Sequence, residues 1–459
     1  MDKYGFHDAH GATENVDWGK LARPQPAWFT EAKLGIMIHW GAYSVPAWAE
    51  TTGELGRVDG DKWFAHNSYA EWYWNTIRFE DSPTREHHRS VYKDAAYDDF
   101  LDAWTAEDFD PAAWIDLFAR CGARYVIPTT KHHDGITLWN APGTSTRNTV
   151  ARGPRKDLIR AIEQEVRRAG LRFGVYYSGG LDWSVTDLPA HDLLPGLDIF
   201  RSVRTVRPQD AAYAAYADLH VRDLIDRYRP DILWNDIEWP DAGKHAHSLG
   251  LLELFKYYYA EVPDGLVNDR WGIPHSDFRT SEYYAHAELE KGLGWENCRG
   301  IGRSFGYNSV EGDEHLLSPG QLSRHFVDIV SRGGNLLLNV GPDAAGRIPE
   351  NQRRILERLA TWMTGAGQAI HGSAPLAAAI AAPADAPWVR WTRTGEHAWA
   401  FVDGTGRVPL QVDTDRIDAG SGWSPDGLST EIVSDGKLVV TGPAAPETDM
   451  PLLIRFRLR

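Results

Sequence analysis

Apolar runs alternate with amphipathic stretches over the first ~370 residues, the pattern of parallel strands joined by helices. The runs LGIMIHWG (34–41), YVIPTT (125–130), FGVYYSG (173–179), DILWND (231–236), GLVNDR (265–270) and NLLLNVGP (335–342) are mostly apolar until their last residues. Strands buried on both faces read this way. Shorter candidates near 280–283 and between 299 and 306 bring the count to eight. Between them Asp110 is an N-cap with Pro111 in the first turn. Trp114, Leu117, Phe118 and Cys121 then recur at i, i+3, i+4 and i+7, and Gly122 closes the helix. The same reasoning predicts helices at 156–169, 210–228, about 245–260, 319–331 and 350–366.

Eight strands alternating with helices predict an α/β fold, a (β/α)8-like TIM barrel, over residues 1–371. From 372 to 388 the chain is rich in Ala and Pro and reads as a linker. Residues 389–459 hold short alternating segments, WVRWTR, HAWAFVDG, EIVSDGKLVVTG and PLLIRFRLR, between turn residues. They predict a small antiparallel β-sandwich.

Composition narrows the function classes. The net charge of −16 argues against nucleic acid or an anionic membrane as partner. No run of ~18 apolar residues is present to predict a membrane-spanning helix. The N-terminal segment has no apolar stretch, so no signal peptide and a cytoplasmic location are expected. Two cysteines far apart, Cys121 and Cys298, form no disulfide framework. Twenty tryptophans are many for 459 residues, and indole faces stack on the apolar faces of sugars.

The strand ends are polar. They offer His39-Trp40, Lys131-His132-His133-Asp134, Tyr176-Tyr177-Ser178, Trp234-Asn235-Asp236, Asn268-Asp269-Arg270 and Glu282. A barrel gathers such ends at one mouth, where its active site lies. His132 and His133 are adjacent, and neighbours on a strand point to opposite faces, which argues against a shared metal. Imidazoles that exchange hydrogen bonds with sugar hydroxyls account for them better. Hydrolysis of a glycosidic bond needs two carboxyls, one to attack or activate water and one to protonate the leaving oxygen. Asp236, Glu238 and Glu282 are the candidates, and from the residues alone they are not separated.

The segments WFTEAKLGIMIHWGAYSVPAW, AEWY, KHHDG, FGVYYSGGLDW, PDILWNDIEWP, VNDRWG, SEYY, RGIGRSFGYN and SRGGNLLLNVGP occur in that order between Trp28 and Ser373. In them the chain resembles the bacterial α-L-fucosidases of glycoside hydrolase family 29. The resemblance implies a retaining exo-glycosidase that removes terminal α-L-fucosyl residues from a fucosylated oligosaccharide or glycoconjugate. It implies Asp236 as nucleophile and Glu282, twelve residues past Arg270, as acid/base. It further implies His39, Glu71, Trp72, His132, His133, Tyr176, Trp234, Arg270 and Phe305 as sugar-binding residues. No metal or organic cofactor is expected, and homo-oligomerisation is left open.

Two rival readings are weaker. A substrate-assisted chitinase-type motif, D-G-x-D-x-D-x-E, would need Gly at 232 and Asp at 234, where this chain has Ile232 and Trp234. A non-catalytic sugar-binding module would not need both carboxyls. The segment after Gly372 is expected to supply few or no contacts to the sugar.

Overall fold

Every residue of β1 (Leu34–Ile38) is buried, but its two faces go to different places. Met37 joins an apolar cluster inside the barrel, whereas Ile36 and Ile38 join the one between strands and helices. The same alternation runs through β2 (Tyr125–Lys131), β3 (Arg172–Ser178), β4 (Ile232–Asp236) and β8 (Asn335–Val340). Tyr125, Ile127, Tyr176, Ile232, Trp234 and Leu337 point in; Val126, Val175, Leu233, Leu336 and Leu338 point out. The period of two of an extended strand produces this division, and burial of both faces produces the unbroken apolar runs. Gly35 makes room for the inward Tyr125, whose ring lies 2.1 Å from where a Cβ would stand.

The computed structural model describes residues 16–53, 63–190, 206–245, 247, 249–283, 293–403, 406–432, 438–442 and 449–459. With β5 (Leu266–Val267), β6 (Phe278–Glu282) and β7 (Gly294–Gly300), eight parallel strands form one sheet in the order β5-β4-β3-β2-β1-β8-β7-β6. The sheet is a nearly closed barrel, and side chains stitch its seam. Asp277 accepts from Val267 N at 2.8 Å, and Asp269 accepts from Thr280 N at 3.1 Å and Thr280 Oγ1 at 2.7 Å.

Helices cap as their sequences dictate. Asp110 and Asp157 accept from the third residue of the helices Pro111–Arg120 and Leu158–Arg168, at 3.0 and 2.8 Å. Three expectations shift. The seventh strand lies at Gly294–Gly300, ahead of the predicted 299–306, because its polar residues are buried with partners. Glu296 bonds inside the barrel, and Asn297 meets His325 outside it at 2.9 Å. The helix expected from 245 begins at Leu251, after Gly250 as its N-cap. The helix expected to end at 366 continues to Ile370, where buried Ala366, Ala369 and Ile370 outweigh the low propensity of its glycines.

The C-terminal strands form two antiparallel sheets. The larger holds β9 (Ala374–Pro375), β10 (Ala384–Asp385), β11 (Trp388–Thr394), β12 (His397–Val402), β14 (Ile417–Trp423) and β17 (Leu452–Leu458). The smaller holds β13 (Arg407–Leu410), β15 (Ser429–Ile432) and β16 (Leu438–Thr441). The Ala/Pro-rich stretch 372–388 thus contributes β9 and β10, both paired with β11. Alternation on β12 decides the packing. Ala398, Ala400 and Val402 face the smaller sheet, while Trp399 and Phe401 dock on the barrel's outer layer. Arg390 on β11 seals that contact with Asp328 at 2.5 Å.

Candidate active site

Strand ends and the segments just past them carry most of the chemistry. His39 follows β1, His132 and His133 follow β2, Tyr176 lies on β3, Trp234 and Asp236 on β4, Glu282 on β6. Arg270 and Phe305 follow β5 and β7, and Glu71 and Trp72 lie on the turn Ala70–Trp72 between β1 and β2. All eleven line one cavity of about 650 Å³, its open mouth included. Among the described residues, none beyond Phe305 lines it.

One guanidinium joins two carboxylates. Arg270 Nη1 donates to Asp236 Oδ1 at 3.2 Å, and Nη2 donates to Glu282 Oε2 at 3.1 Å. Its Nε donates to Thr280 Oγ1 at 3.0 Å, which fixes the plane of the fork. Tyr176 OH donates to the other oxygen of Asp236 at 2.8 Å, and Tyr69 OH to the other oxygen of Glu282 at 3.4 Å. Burial raises the Glu282 carboxyl above its ordinary range, Arg270 opposes this, and the nearby charge of Asp236 adds to it.

The imidazoles are neutral. Burial lowers His39 to about 4 and His132 and His133 well below the ordinary imidazole value. Asn339 Nδ2 donates to Phe305 O at 2.7 Å, so its Oδ1 faces His39 Nδ1 at 2.6 Å and must accept. His39 therefore keeps Nε2 as an acceptor. His132 Nδ1 is buried and finds no partner among the described residues. The strand argument separating His132 from His133 does not apply here. β2 ends at Lys131, and the two rings lie only 4.0 Å apart at their centroids.

Glu238, level with the others in sequence, is turned away from the cavity. Ile237 and Glu238 take φ of 58° and 65°, a sharp reversal held by Asn235 Nδ2, which donates to Glu238 O at 2.7 Å and Arg270 O at 2.8 Å. Lys244 and Arg207 then each hold Glu238 Oε2 at 2.8 Å. The turn needs Gly180 beside it, since a Cβ there would stand 1.6 Å from Ile237 O. Glu71 meets the cavity differently. Its Oε2 accepts from Gly306 N at 2.7 Å, and burial raises it to about 7.

Sequence reasoning missed Met37, Trp63, Phe64, Tyr69, Ile237 and Cys298, which also line the cavity. Met37 and Cys298 were legible as inward positions of β1 and β7 once the strand bounds were right. Trp63, Phe64 and Tyr69 come from a long connection with no periodicity to read.

A parallel barrel whose strand ends present paired carboxyls, neutral imidazoles and indoles to one cavity is the architecture of a glycoside hydrolase. A family model described as alpha-L-fucosidase matches residues 7–368. Human tissue alpha-L-fucosidase is 34% identical over 400 residues, 85% of this chain and 76% of its own. The alpha-L-fucosidase of Dictyostelium discoideum is 32% identical over 369 residues, 78% of this chain and 74% of its own. Among solved structures, Thermotoga maritima alpha-fucosidase in complex with fucose is 42% identical, with a TM-score of 0.82 over 96% of this chain and 99% of that one. The chain belongs to the α-L-fucosidase family, glycoside hydrolase family 29. Its relatives include animal and bacterial proteins, so membership sets no bacterial origin.

Proposed function

We propose that the protein is a retaining exo-glycosidase that hydrolyses terminal α-L-fucosyl residues of oligosaccharides or glycoconjugates by double displacement. Asp236 is the nucleophile and Glu282 the general acid and base. The observation that carries this reading is the Arg270 fork, which holds both carboxylates at one cavity. Support comes from the relative described in complex with fucose.

An Asp236 oxygen attacks C1 of the fucosyl unit while the bond from C1 to the leaving oxygen breaks. Glu282 gives that oxygen its proton, which burial helps it hold. The ionised Glu282 then takes a proton from water, whose oxygen attacks C1 and releases Asp236. Arg270 and Tyr176 hold Asp236 in line, and the neutral histidines accept from sugar hydroxyls. The test is the anomeric configuration of the first product, read by proton NMR on an aryl α-L-fucoside. α-L-Fucose is expected, and the β anomer as first product would refute retention.

A further inference from the structure

His133 stands between the nucleophile of the reading above and a buried charged network. Its Nε2 lies 3.9 Å from Asp236 Oδ2, and its Nδ1 lies 2.7 Å from Ser178 Oγ. Ser178 Oγ in turn donates to Leu181 O at 2.8 Å. A hydroxyl has one proton to give. With that proton committed to Leu181, the Ser178 oxygen meets His133 as an acceptor, so Nδ1 carries the imidazole proton.

The Leu181 carbonyl is held from its other side. Lys131 Nζ donates to Leu181 O at 3.3 Å, Asp182 Oδ2 at 3.2 Å and Tyr213 OH at 3.1 Å. The three protons of an ammonium are thereby matched to three oxygens, in a site where Lys131 and Asp182 are fully buried. Asp182 Oδ1 also accepts from Ser184 N at 3.1 Å, and Trp183 N donates to His133 O at 2.7 Å. The turn 181–184 is therefore tied to His133 at both its ring and its backbone.

We propose that Ser178 and Lys131 are positioning residues that fix His133 as the Nδ1–H tautomer, with a bare Nε2 beside Asp236. The catalytic consequence rests on Asp236 being the nucleophile; the tautomer does not. A bare Nε2 is an acceptor for a sugar hydroxyl and cannot draw charge from the carboxylate. The opposite tautomer would aim an N–H at Asp236 and remove that acceptor. A doubly protonated ring would form an ion pair with Asp236 and weaken it as a nucleophile. Burial resists that second proton first, Lys131 next and His39 after it, while Asp182 favours it. The other titratable groups facing the ring are His132 and Asp236.

Neutron diffraction from deuterium-exchanged crystals tests the assignment directly, in the wild type and in Ser178→Ala. Wild-type His133 should show deuterium on Nδ1 alone. Ser178→Ala should move deuterium to Nε2 and lower kcat/KM for an aryl α-L-fucoside by about tenfold, the loss of one hydrogen bond to substrate. Lys131→Met/Asp182→Asn removes both network charges at once. Since Lys131 outweighs Asp182 at His133, the acid limb of its kcat/KM profile should move to higher pH. If the double variant does not fold, the Ser178→Ala maps decide. Deuterium on Nε2 in the wild type, or a Ser178→Ala variant with Nδ1 still deuterated and kcat/KM unchanged, overturns the proposal. An active Asp236→Gly enzyme alongside the expected maps would instead sink the nucleophile reading and leave the tautomer standing.

Discussion

Arg270 lies over the indole of Trp234, its Cζ 4.6 Å from the ring centroid, while Trp234 Nε1 donates to Glu296 at 3.0 Å. A guanidinium over an indole gains roughly 0.5–2 kcal/mol and a fixed orientation. That orientation turns two N–H edges toward Asp236 and Glu282. Trp234 and Asp236 are two apart on β4, so they share the inward face, and the residue that steadies the cation precedes the carboxylate it serves.

Replacing Asp236 by glycine should leave less than about a tenth of wild-type kcat, a barrier rise above ~1.4 kcal/mol. Azide should restore part of the turnover by occupying the vacated space and attacking C1. Rates with and without azide check this. A glycine variant with near-native kcat would remove Asp236 from the chemistry.

Glu282→Ala should lose far more activity on substrates with poor leaving groups than on activated aryl fucosides, which need little protonation. On the proposed mechanism the acid form of Glu282 does the work, and its proton affinity is raised, so wild-type kcat/KM should fall as pH rises through that raised value. In Glu282→Ala that alkaline limb should vanish. Equal losses on both substrate types, with the limb intact, would point to another acid.

Glu296 links pH to stability. It is buried inside the barrel between Trp234 Nε1 and Tyr125 OH, and burial raises it from 4.5 to about 7. The folded state therefore binds a proton that the unfolded state has released between those values. Stability from this group is present below pH 4.5 and lost as pH rises through 7. Glu296→Gln keeps an acceptor for the indole and has no such dependence. Relative to wild type, it should gain about 3 kcal/mol between pH 4 and pH 8. Urea unfolding at the two pH values measures the difference, and a pH-independent difference would rule the ionisation out.

L-Fucose should be preferred to L-galactose, which adds a hydroxyl to the C6 methyl. Met37, Cys298, Trp234 and Phe305 supply apolar lining to the cavity, with Cys298 Sγ 3.9 Å from Met37 Sδ. Burying the methyl there gains about 0.8 kcal/mol. A hydroxyl would lose water without finding a partner, and apolar pockets reject such a group by roughly 10² in kcat/KM. Comparing kcat/KM for the two aryl glycosides decides it, and equal values would mean that the methyl lies elsewhere.

Phe401→Ala should destabilise the protein by about 3–5 kcal/mol, because Phe401 is fully buried where the sandwich docks on the barrel. Among the described residues, every one that lines the cavity lies at or before Phe305, so kcat at a temperature where the variant is folded should stay near native. A large fall in kcat with intact stability would show that the sandwich shapes the site.

Much of the site was legible because it sits at the ends of strands. His39, His132, Tyr176 and Asp236 each lie on or next to an apolar run whose polar end marks the barrel mouth. Glu282 was legible as one of three candidate carboxyls, but only the family likeness picked it out, since β6 is half-buried and polar. Tyr69 was not legible, because it lies in a connection whose shape depends on packing against Phe305 and Tyr283.

Sequence alone determined the order of the barrel strands and of the helices read between them, and the cap at Asp110, since periodicity and capping are properties of neighbouring residues. Its polar strand ends put eight of the cavity residues at one mouth, and the family resemblance added Glu71, Trp72 and Phe305. Only the tertiary structure decided which carboxyls meet. Closing the barrel brings Arg270 to both Asp236 and Glu282, while two left-handed residues turn Glu238 to Lys244 and Arg207. The difference is physical: periodicity is set within a few residues, but the partner of a charge depends on where the closed backbone carries it.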